Sequence, residues 1–400
     1  MKHSIDNFIK AVIYKFTAVK PKRLVFSSYD GHYSDSPKYI SQKIHELAPQ
    51  YEIIWLLKKE FSYDLPEYVK WYDIDTFKAQ KIRGSATALI DNVYCNRSFT
   101  VMENTIGNRL KANIFKFLYN KPNQPGFTTW HGTPIKRGGR DQIGNESISD
   151  FICPNVTMIV GNQHSIETLS HITFKKLNMK LIGTPRNDLL FDKKSYASLR
   201  KKLNLPENKK MVLFAPTFRN DGRDVEGKNI QRSGLNQIKE IDFEKLFETL
   251  HRKFGGEWIF VCRFHYHVSN LVDWDALTKK YNGRVINGNE FDEMAEYLAC
   301  TDLLITDASS CSLDYSLTQK PCFLFFPDFE HYKNQERGFY LNLEMLPFPL
   351  AMNSCELLKN INDFDEEEYK INVEKMLSDM GYVDDECSSK RVVKYILDNL

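Results

Sequence analysis

Leu303-Leu304-Ile305-Thr306-Asp307-Ala308-Ser309-Ser310-Cys311-Ser312-Leu313-Asp314-Tyr315 is the stretch on which the fold turns. Its first four residues suit a buried strand, Asp307 to Ser310 supply polar turn and cap residues, and a helix-compatible run follows. Strand, polar turn and helix make up the repeating unit of an α/β sheet, and the same unit recurs outward in both directions. Further strands read at residues 210–215, 258–262 and 321–326, with helices at 243–254, 291–300 and 312–318. Upstream, strands read at 23–27, 51–57, 86–90, 126–129 and 157–160, with helices at 37–47, 108–118 and 163–171. Such alternation predicts α/β units with mostly parallel sheets.

The pattern pauses in the charged stretch 192–210, which contains Pro206 and reads as a short helix plus linker, and then restarts. Two units are therefore expected: residues 1–190, a linker at 191–210, and residues 211–375. A terminal segment, 376–400, is expected to carry a helix packing across the joint. In open α/β sheets ligands bind at the carboxyl ends of the strands, which points to the cleft between the two units.

Composition narrows the function classes. Of 400 residues, 42% are hydrophobic and 26% charged, the balance of a well-cored globular chain. Lys and Arg number 54 against 52 Asp and Glu, so the net charge of +2 gives no argument for nucleic acid. The N-terminus has no continuous apolar run of the kind a signal peptide needs, and a cytoplasmic protein is expected. Eight cysteines are scattered without a C-x-x-C, which favours reduced thiols over a disulfide scaffold or a zinc site. Residues 8–23 mix Phe8, Ile9, Val12, Ile13 and Phe16 with Lys10, Lys15, Lys20, Lys22 and Arg23. A basic amphipathic helix of this kind can rest on an anionic membrane or pack on its own domain.

Three blocks could carry chemistry. In Thr129-Trp130-His131-Gly132-Thr133-Pro134-Ile135-Lys136-Arg137-Gly138-Gly139-Arg140-Asp141, His131 follows directly on a strand and suits a general base. Gly132 and Thr133 would let the backbone approach a ligand, while Lys136, Arg137 and Arg140 could neutralise phosphate. In Arg263-Phe264-His265-Tyr266-His267, alternate residues lie on one side of an extended chain, so His265 or His267 could join Arg263 at a site. In the opening stretch, Asp307, Ser309 and Ser310 form an N-cap arrangement that could also receive phosphate. Asp314, about a turn later, could reach a ribose or polyol hydroxyl or could face solvent. Arg219, in Ala215-Pro216-Thr217-Phe218-Arg219, follows another strand and, with Arg263, could bind a donor's phosphates. The pairs Asp73-Ile74-Asp75 and Asp273-Trp274-Asp275 read as loop carboxylates, and His331 as a surface residue. No P-loop, dinucleotide fingerprint or metal-ligand cluster is evident.

Set side by side, these stretches resemble the CDP-glycerol glycerophosphotransferase family, the teichoic acid primases and polymerases. The matching segments are Ser27-Ser-Tyr-Asp-Gly-His-Tyr-Ser-Asp-Ser-Pro37-Lys-Tyr-Ile40, Trp130-His131-Gly-Thr-Pro-Ile-Lys136, Gly183-Thr-Pro-Arg186-Asn-Asp188, Ala215-Pro-Thr-Phe-Arg219, Arg263-Phe-His265, Thr306-Asp307-Ala-Ser309-Ser310 and Arg337-Gly-Phe-Tyr340. The resemblance implies a GT-B architecture, two Rossmann-like domains facing across a cleft, with the nucleotide held by the C-terminal one. It implies transfer of glycerol phosphate from CDP-glycerol, or a related CDP-polyol, to a hydroxyl of a lipid-linked saccharide or growing polymer. CMP is released, at the inner face of the cell membrane, with no cofactor or metal. On the family pattern His131 corresponds to the general base, His265 to the histidine on the donor pyrophosphate, and Ser309, Ser310 and Asp314 to donor-binding positions. Tyr266, Ala308 and Pro347-Phe348-Pro349 depart from the pattern. Two other readings stand beside it: a GT-B glycosyltransferase moving a sugar, which would release the nucleoside diphosphate, and a non-catalytic polyanion-binding protein.

Overall fold

The computed structural model describes residues 2–29, 31–61, 63–93, 99–100, 114, 117–142, 151–152, 155–172, 177–217, 219, 235–264, 272–291 and 293–400. The chain divides into two compact units, residues 1–131, 139–188 and 382–400 against residues 132–138 and 189–381.

The first unit is built on β1 (Arg23–Phe26), β2 (Glu52–Leu57), β3 (Lys70–Asp73), β4 (Ala88–Asp91), β5 (Gly126–Thr128), β6 (Val156–Val160) and β7 (Asn178–Leu181). They form one sheet in the order β3-β2-β1-β4-β5-β6-β7, and every pairing is parallel. The second unit repeats the plan with β8 (Lys210–Ala215), β9 (Trp258–Cys262), β10 (Val285–Asn287), β11 (Leu303–Thr306), β12 (Cys322–Phe325) and β13 (Leu350–Ala351). Its order, β10-β9-β8-β11-β12-β13, is again wholly parallel. The second has the 3-2-1-4-5-6 order of a doubly wound sheet and the first adds a seventh strand to it; the ligand crevice of such a sheet opens beside the first strand, where the order reverses. The two parallel sheets give the α/β architecture, GT-B in type, that the motifs imply.

Parallel strands covered on both faces should read as apolar runs, and these do. Met211 to Phe214, Ile259 to Cys262 and Leu303 to Ile305 are almost completely buried. Cys262 is a fully buried thiol within β9, and the thiols of Cys300, Cys311 and Cys322 are buried as well; burial pushes all four up from the ordinary cysteine range. These cysteines act as small hydrophobes, as expected.

Three boundaries differ from expectation. Residues 191–210 are part of the second unit's body. Helix Tyr196–Lys202 packs on helix Met294–Cys300, and the buried Arg200 guanidinium donates to the carbonyls of Pro206, Lys209 and Cys300. Gathering three carbonyls around one cation fixes the loop, a role that a charge-rich composition does not reveal. Residues 132–138, expected with the first unit, belong to the second. The terminal segment also splits. Helix Glu366–Asp379 lies in the second unit, whereas helix Ser388–Asp398 puts Val392, Val393 and Ile396 into the first unit's core with Leu24, Phe26 and Trp55. Most of the helix expected at 108–118 lies outside the described residues.

Helix Lys2–Phe16 packs on helix Phe77–Gly84. A Cβ at Gly84 would stand 2.5 Å from the Tyr14 carbonyl oxygen, so glycine is what allows the approach. Ala11 and Tyr14 are buried, while Phe8, Ile9 and Phe16 are exposed. The helix therefore packs on its own domain with one face and leaves apolar residues outside on the other. Among the described residues no helix is long and apolar enough to cross a membrane.

Candidate active site

In the first unit the loops leaving β1, β4 and β5 converge at the switch point. β1 runs into Ser27-Ser28-Tyr29, β4 ends at Asp91 with Asn92 next, and β5 leads to Thr129-Trp130-His131. The Thr129 amide donates to the Asp91 carbonyl at 2.9 Å, carrying the β5 loop past the end of β4. His131 is exposed, 4.1 Å from the Trp130 ring and 5.9 Å from the Tyr29 ring between centroids. Its Nδ1 lies 3.2 Å from the Asn92 carbonyl oxygen. A carbonyl only accepts, so in that bond Nδ1 carries the hydrogen and, in the neutral ring, Nε2 keeps the in-plane lone pair. Tyr29 (φ +39°) and Trp130 (φ +52°) hold left-handed backbone. For bulky residues this costs about 1–3 kcal/mol each and marks a loop over-determined by its surroundings.

The second unit's switch point lies between β8 and β11. The Thr217 amide, after β8, donates to Asp307 Oδ1 at 2.8 Å, after β11. Arg219 bonds Asp307 Oδ2 at 2.8 Å and Asp328 Oδ2 at 2.7 Å, and donates to the Thr217 carbonyl at 2.8 Å. Its guanidinium carbon sits 4.7 Å from the Phe326 ring and 4.6 Å from the Tyr332 ring. Burial opposes the charge of Arg219, but Asp307 and Asp328 outweigh it and drive the pKa upward. Burial would likewise raise the Asp307 carboxyl, yet Arg219 and the Thr217 amide hold it below the ordinary range. Arg219 and Asp307, read from sequence as donor-binding, are thus bound first to each other.

The remaining predicted residues are distributed as follows. Ser310 does not cap a helix: it already has helical dihedrals, φ −59° and ψ −14°, and makes no side-chain cap bond. The turn is wound from Ser309, whose carbonyl accepts from the Ser312 amide at 3.1 Å, so Ser310 lacks the extended backbone that a capping serine adopts. Ser309 and Ser310 are half-buried, and Asp314, in helix Cys311–Ser316, is buried rather than solvated. Arg263 donates through Nη1 to the carbonyls of Gly288 and Phe291, at 2.9 and 2.5 Å, and so organises the loop after β10. His265 and His267 lie outside the described residues. His331 is exposed, as expected. Asp73 bonds the Asp75 amide, and Asp273 caps helix Trp274–Lys280 through the Ala276 amide, which gives both acidic pairs local structural work.

Lys136 is the informative cation. Residues 135–138 run antiparallel to 338–340, the Tyr340 amide donating to the Ile135 carbonyl at 2.8 Å and the Arg137 amide to the Gly338 carbonyl at 3.1 Å. Gly132, at φ +140°, has the backbone freedom that the start of this segment uses, and Thr133 is buried. Lys136 is half-buried. Its burial and the Arg337 charge, with Arg219 beyond, pull its pKa down to about 8, although Asp307 works in the opposite direction. Arg337 Nε donates to the Arg137 carbonyl at 3.1 Å, so Lys136, Arg137 and Arg337 gather on one ladder. Crowded cations of this kind are relieved by an anion. A surface depression of about 430 Å³, lined by Lys209, His251, Trp258 and Arg284, opens at the amino ends of β8 and β9. That is the edge opposite the switch point, and the strand-end chemistry is the better guide.

Asn92, Asp328 and Arg337 were not singled out by the sequence blocks. Asn92 and Asp328 immediately or closely follow strands, the one signal that could have found them. Arg337 stands in a matched motif but had no chemistry assigned to it.

A sequence model of the family described as CDP-Glycerol:Poly(glycerophosphate) glycerophosphotransferase matches residues 8–398. The chain is 30% identical over 371 residues to the teichoic acid poly(glycerol phosphate) polymerase of Staphylococcus epidermidis, covering 87% of this chain and 46% of that protein. It is 24% identical to the teichoic acid glycerol-phosphate transferase of Staphylococcus aureus, over 92% of this chain and 91% of that one. The chain spans about half the length of the first two curated relatives it matches. Among solved structures, the wall teichoic acid polymerase TagF superposes with a TM-score of 0.76 and 25% identity, over 100% of this chain and 95% of that one. A histidine-to-asparagine variant of TagF soaked with CDPG gives 0.75. With the whole run of motifs inside the matched span, the chain belongs to the CDP-glycerol:poly(glycerophosphate) glycerophosphotransferase family.

Proposed function

We propose that this protein transfers a polyol phosphate, glycerol phosphate in the first instance, from a CDP-polyol to an acceptor hydroxyl and releases CMP. The observation that carries the reading is His131 at the switch point, with Nδ1 3.2 Å from the Asn92 carbonyl oxygen, so that in the neutral ring Nε2 is the nitrogen able to accept a proton. In the reaction the acceptor oxygen bonds to the polyol-bearing phosphorus, the bond from that phosphorus to the CMP oxygen breaks, and Nε2 accepts the hydroxyl proton. General-base help of this kind is worth ~10²–10⁴-fold. Lys136, Arg137 and Arg337 are the cations proposed to meet the charge of the donor's phosphates. Ser309, Ser310 and Asp314 are read as donor contacts. His265 keeps the pyrophosphate role implied by the family motif. No resident cofactor takes part in this reading.

The acceptor is proposed to be a lipid-linked saccharide or growing polymer, met at the inner membrane surface. The outer face of helix Lys2–Phe16 supports this. Phe8, Ile9 and Phe16 are exposed on it, an apolar face suited to a bilayer surface, while Lys10 and Lys15 reach Phe77 and the Asn120 carbonyl of their own domain.

The test is a turnover assay with CDP-glycerol, CDP-ribitol and a synthetic lipid-linked acceptor, read by nucleotide release and product mass. CMP release and a product heavier by one polyol phosphate are expected, and His131→Gln should lose most of the rate. Accumulation of CDP would instead identify a sugar transferase and end the phosphotransfer reading.

A further inference from the structure

Two of the matched motifs, residues 27–40 and 183–188, carry no assigned chemistry, yet they meet inside the first unit. Asp35 and Arg186 form an ion pair, Arg186 Nη1 to Asp35 Oδ1 at 2.7 Å, with both side chains less than a tenth exposed. Three more donors surround the carboxylate. The Ser36 amide reaches Oδ1 at 2.5 Å, while the Tyr29 hydroxyl and Asn92 Nδ2 each reach Oδ2 at 2.7 Å. Asn92 is then held at its other end, because its Oδ1 accepts from the Tyr29 amide at 2.9 Å. Both ends of that amide anchor Asn92 in the loop, and its main-chain carbonyl is the acceptor for His131 Nδ1.

The pair does more than start a helix. Asp35 opens helix Asp35–Leu47 at φ +59°, and the preceding Ser34 makes no side-chain cap bond. The carboxylate instead spends its oxygens on Arg186, Tyr29 and Asn92, which come from three different loops. Burial alone would raise the Asp35 carboxyl, but Arg186 and the surrounding donors reverse this and keep it ionised. An ionised carboxylate accepts only, so the direction of every hydrogen bond around it is set: Asn92 must present Nδ2 to Asp35 and Oδ1 to the Tyr29 amide. Gly183, at φ +109°, completes the device. A Cβ there would lie 2.5 Å from Ser388 Oγ, so glycine lets the 183–188 loop seat against the C-terminal segment and deliver Arg186 to Asp35.

We propose that Asp35, Arg186 and Asn92 are positioning residues that hold His131 in its Nδ1–H tautomer and leave Nε2 as the proton acceptor. The inference rests on the reading of His131 as the base. It assigns to two motif segments a shared role, orientation of the imidazole, in the manner of the second partner that fixes a catalytic or ligating histidine.

The test reads the tautomer directly. The full-length chain, with ¹⁵N-labelled histidines, is examined by two-bond ¹H–¹⁵N spectra at about pH 8, where an ordinary imidazole is neutral. His131 is assigned by the signal lost in His131→Gln. The Nδ1–H pattern is expected in the native protein, with a move toward Nε2–H or exchange averaging in Asp35→Asn. The same variant should lower kcat roughly 10-fold or more while KM for CDP-glycerol stays within about two-fold, the split expected when a base is misoriented. Asp35→Asn strands Arg186, so the double variant Asp35→Asn/Arg186→Met, which removes both charges, is measured beside it with its melting temperature. An Nε2–H pattern in the native protein overturns the proposal, as does an unchanged tautomer in both folded variants. If the native protein shows the expected tautomer but releases no CMP from CDP-glycerol, the transfer reading falls while the spectra still decide the positioning.

Discussion

Arg219→Met tests the structural role of the ion pair at the second unit's switch point. In the native protein Arg219 is shared between Asp307, which is buried, and Asp328, whose side chain is 37% exposed. Removing the guanidinium leaves Asp307 without its cation in a dry setting, at a cost of about 3–5 kcal/mol. Asp328 can turn to water, so its loss adds little. Methionine still fills the space between Phe326 and Tyr332, but without the cation–π attraction. For a unit of about 200 residues the loss corresponds to a melting temperature lower by roughly 6–20 °C. The pH dependence follows from the sign of the shift. The Asp307 carboxyl is depressed in the folded state, so its contribution is full above the unfolded carboxylate range and disappears as pH falls through the lower folded value. The gap between native protein and variant should therefore narrow under acid conditions. Adding Asp307→Asn to Arg219→Met removes the stranded charge and should restore about 2 kcal/mol, a coupling well above the scatter of additive pairs. Differential scanning calorimetry and urea unfolding of the four proteins measure the cycle. A drop below about 3 °C for Arg219→Met, or additivity within about 0.5 kcal/mol, would refute the account of Asp307 as a buried carboxylate held by this cation.

Three further outcomes follow from the geometry. Lys136 has a pKa pulled down to about 8, so it is a cation below that value and loses its charge above it. KM for the CDP donor should rise as pH passes through about 8, Lys136→Met should abolish that rise, and a flat native profile would remove Lys136 from donor binding. On the outer face of helix Lys2–Phe16, Phe16→Glu with Ile9→Glu should lower co-flotation with vesicles containing phosphatidylglycerol by about 10-fold while the melting temperature is unchanged, because both side chains are exposed. Equal flotation of native and variant protein would contradict the proposed surface. Gly84→Ala, which would press a methyl against the Tyr14 carbonyl, should destabilise the docking of helix Lys2–Phe16 by about 1–3 kcal/mol and speed its proteolysis. Unchanged proteolysis would show that the two helices are not in such close contact.

Much of the sheet architecture was legible along the chain. The bounds of β8, β9 and β11 and of helix Phe243–Phe254 coincide with those read from apolar runs and helix periodicity, because parallel strands covered on both faces must be apolar throughout. Lys70–Asp73 and Val285–Asn287 escaped notice: one is an edge strand exposed over part of its length, and the other has a single buried residue. Helix Glu366–Asp379 escaped as well, since its charged face hides an inner row of Tyr369, Val373 and Met376.

The sequence by itself determined the alternation of strands and helices, the restart that makes two units, and the position of His131 at a strand's carboxyl end. Each depends on neighbours along the chain, through periodicity and turn chemistry. Only the tertiary structure decided which polar residues are consumed by one another. Arg219 with Asp307 and Asp35 with Arg186 stand 88 and 151 residues apart, and nothing in a local pattern distinguishes a charge that will meet its partner from one that will face a ligand. The tertiary structure likewise gave residues 132–138 to the second unit and the last helix to the first. Hydrophobic patterning specifies that a segment must be covered, whereas the packing of the whole chain selects what covers it.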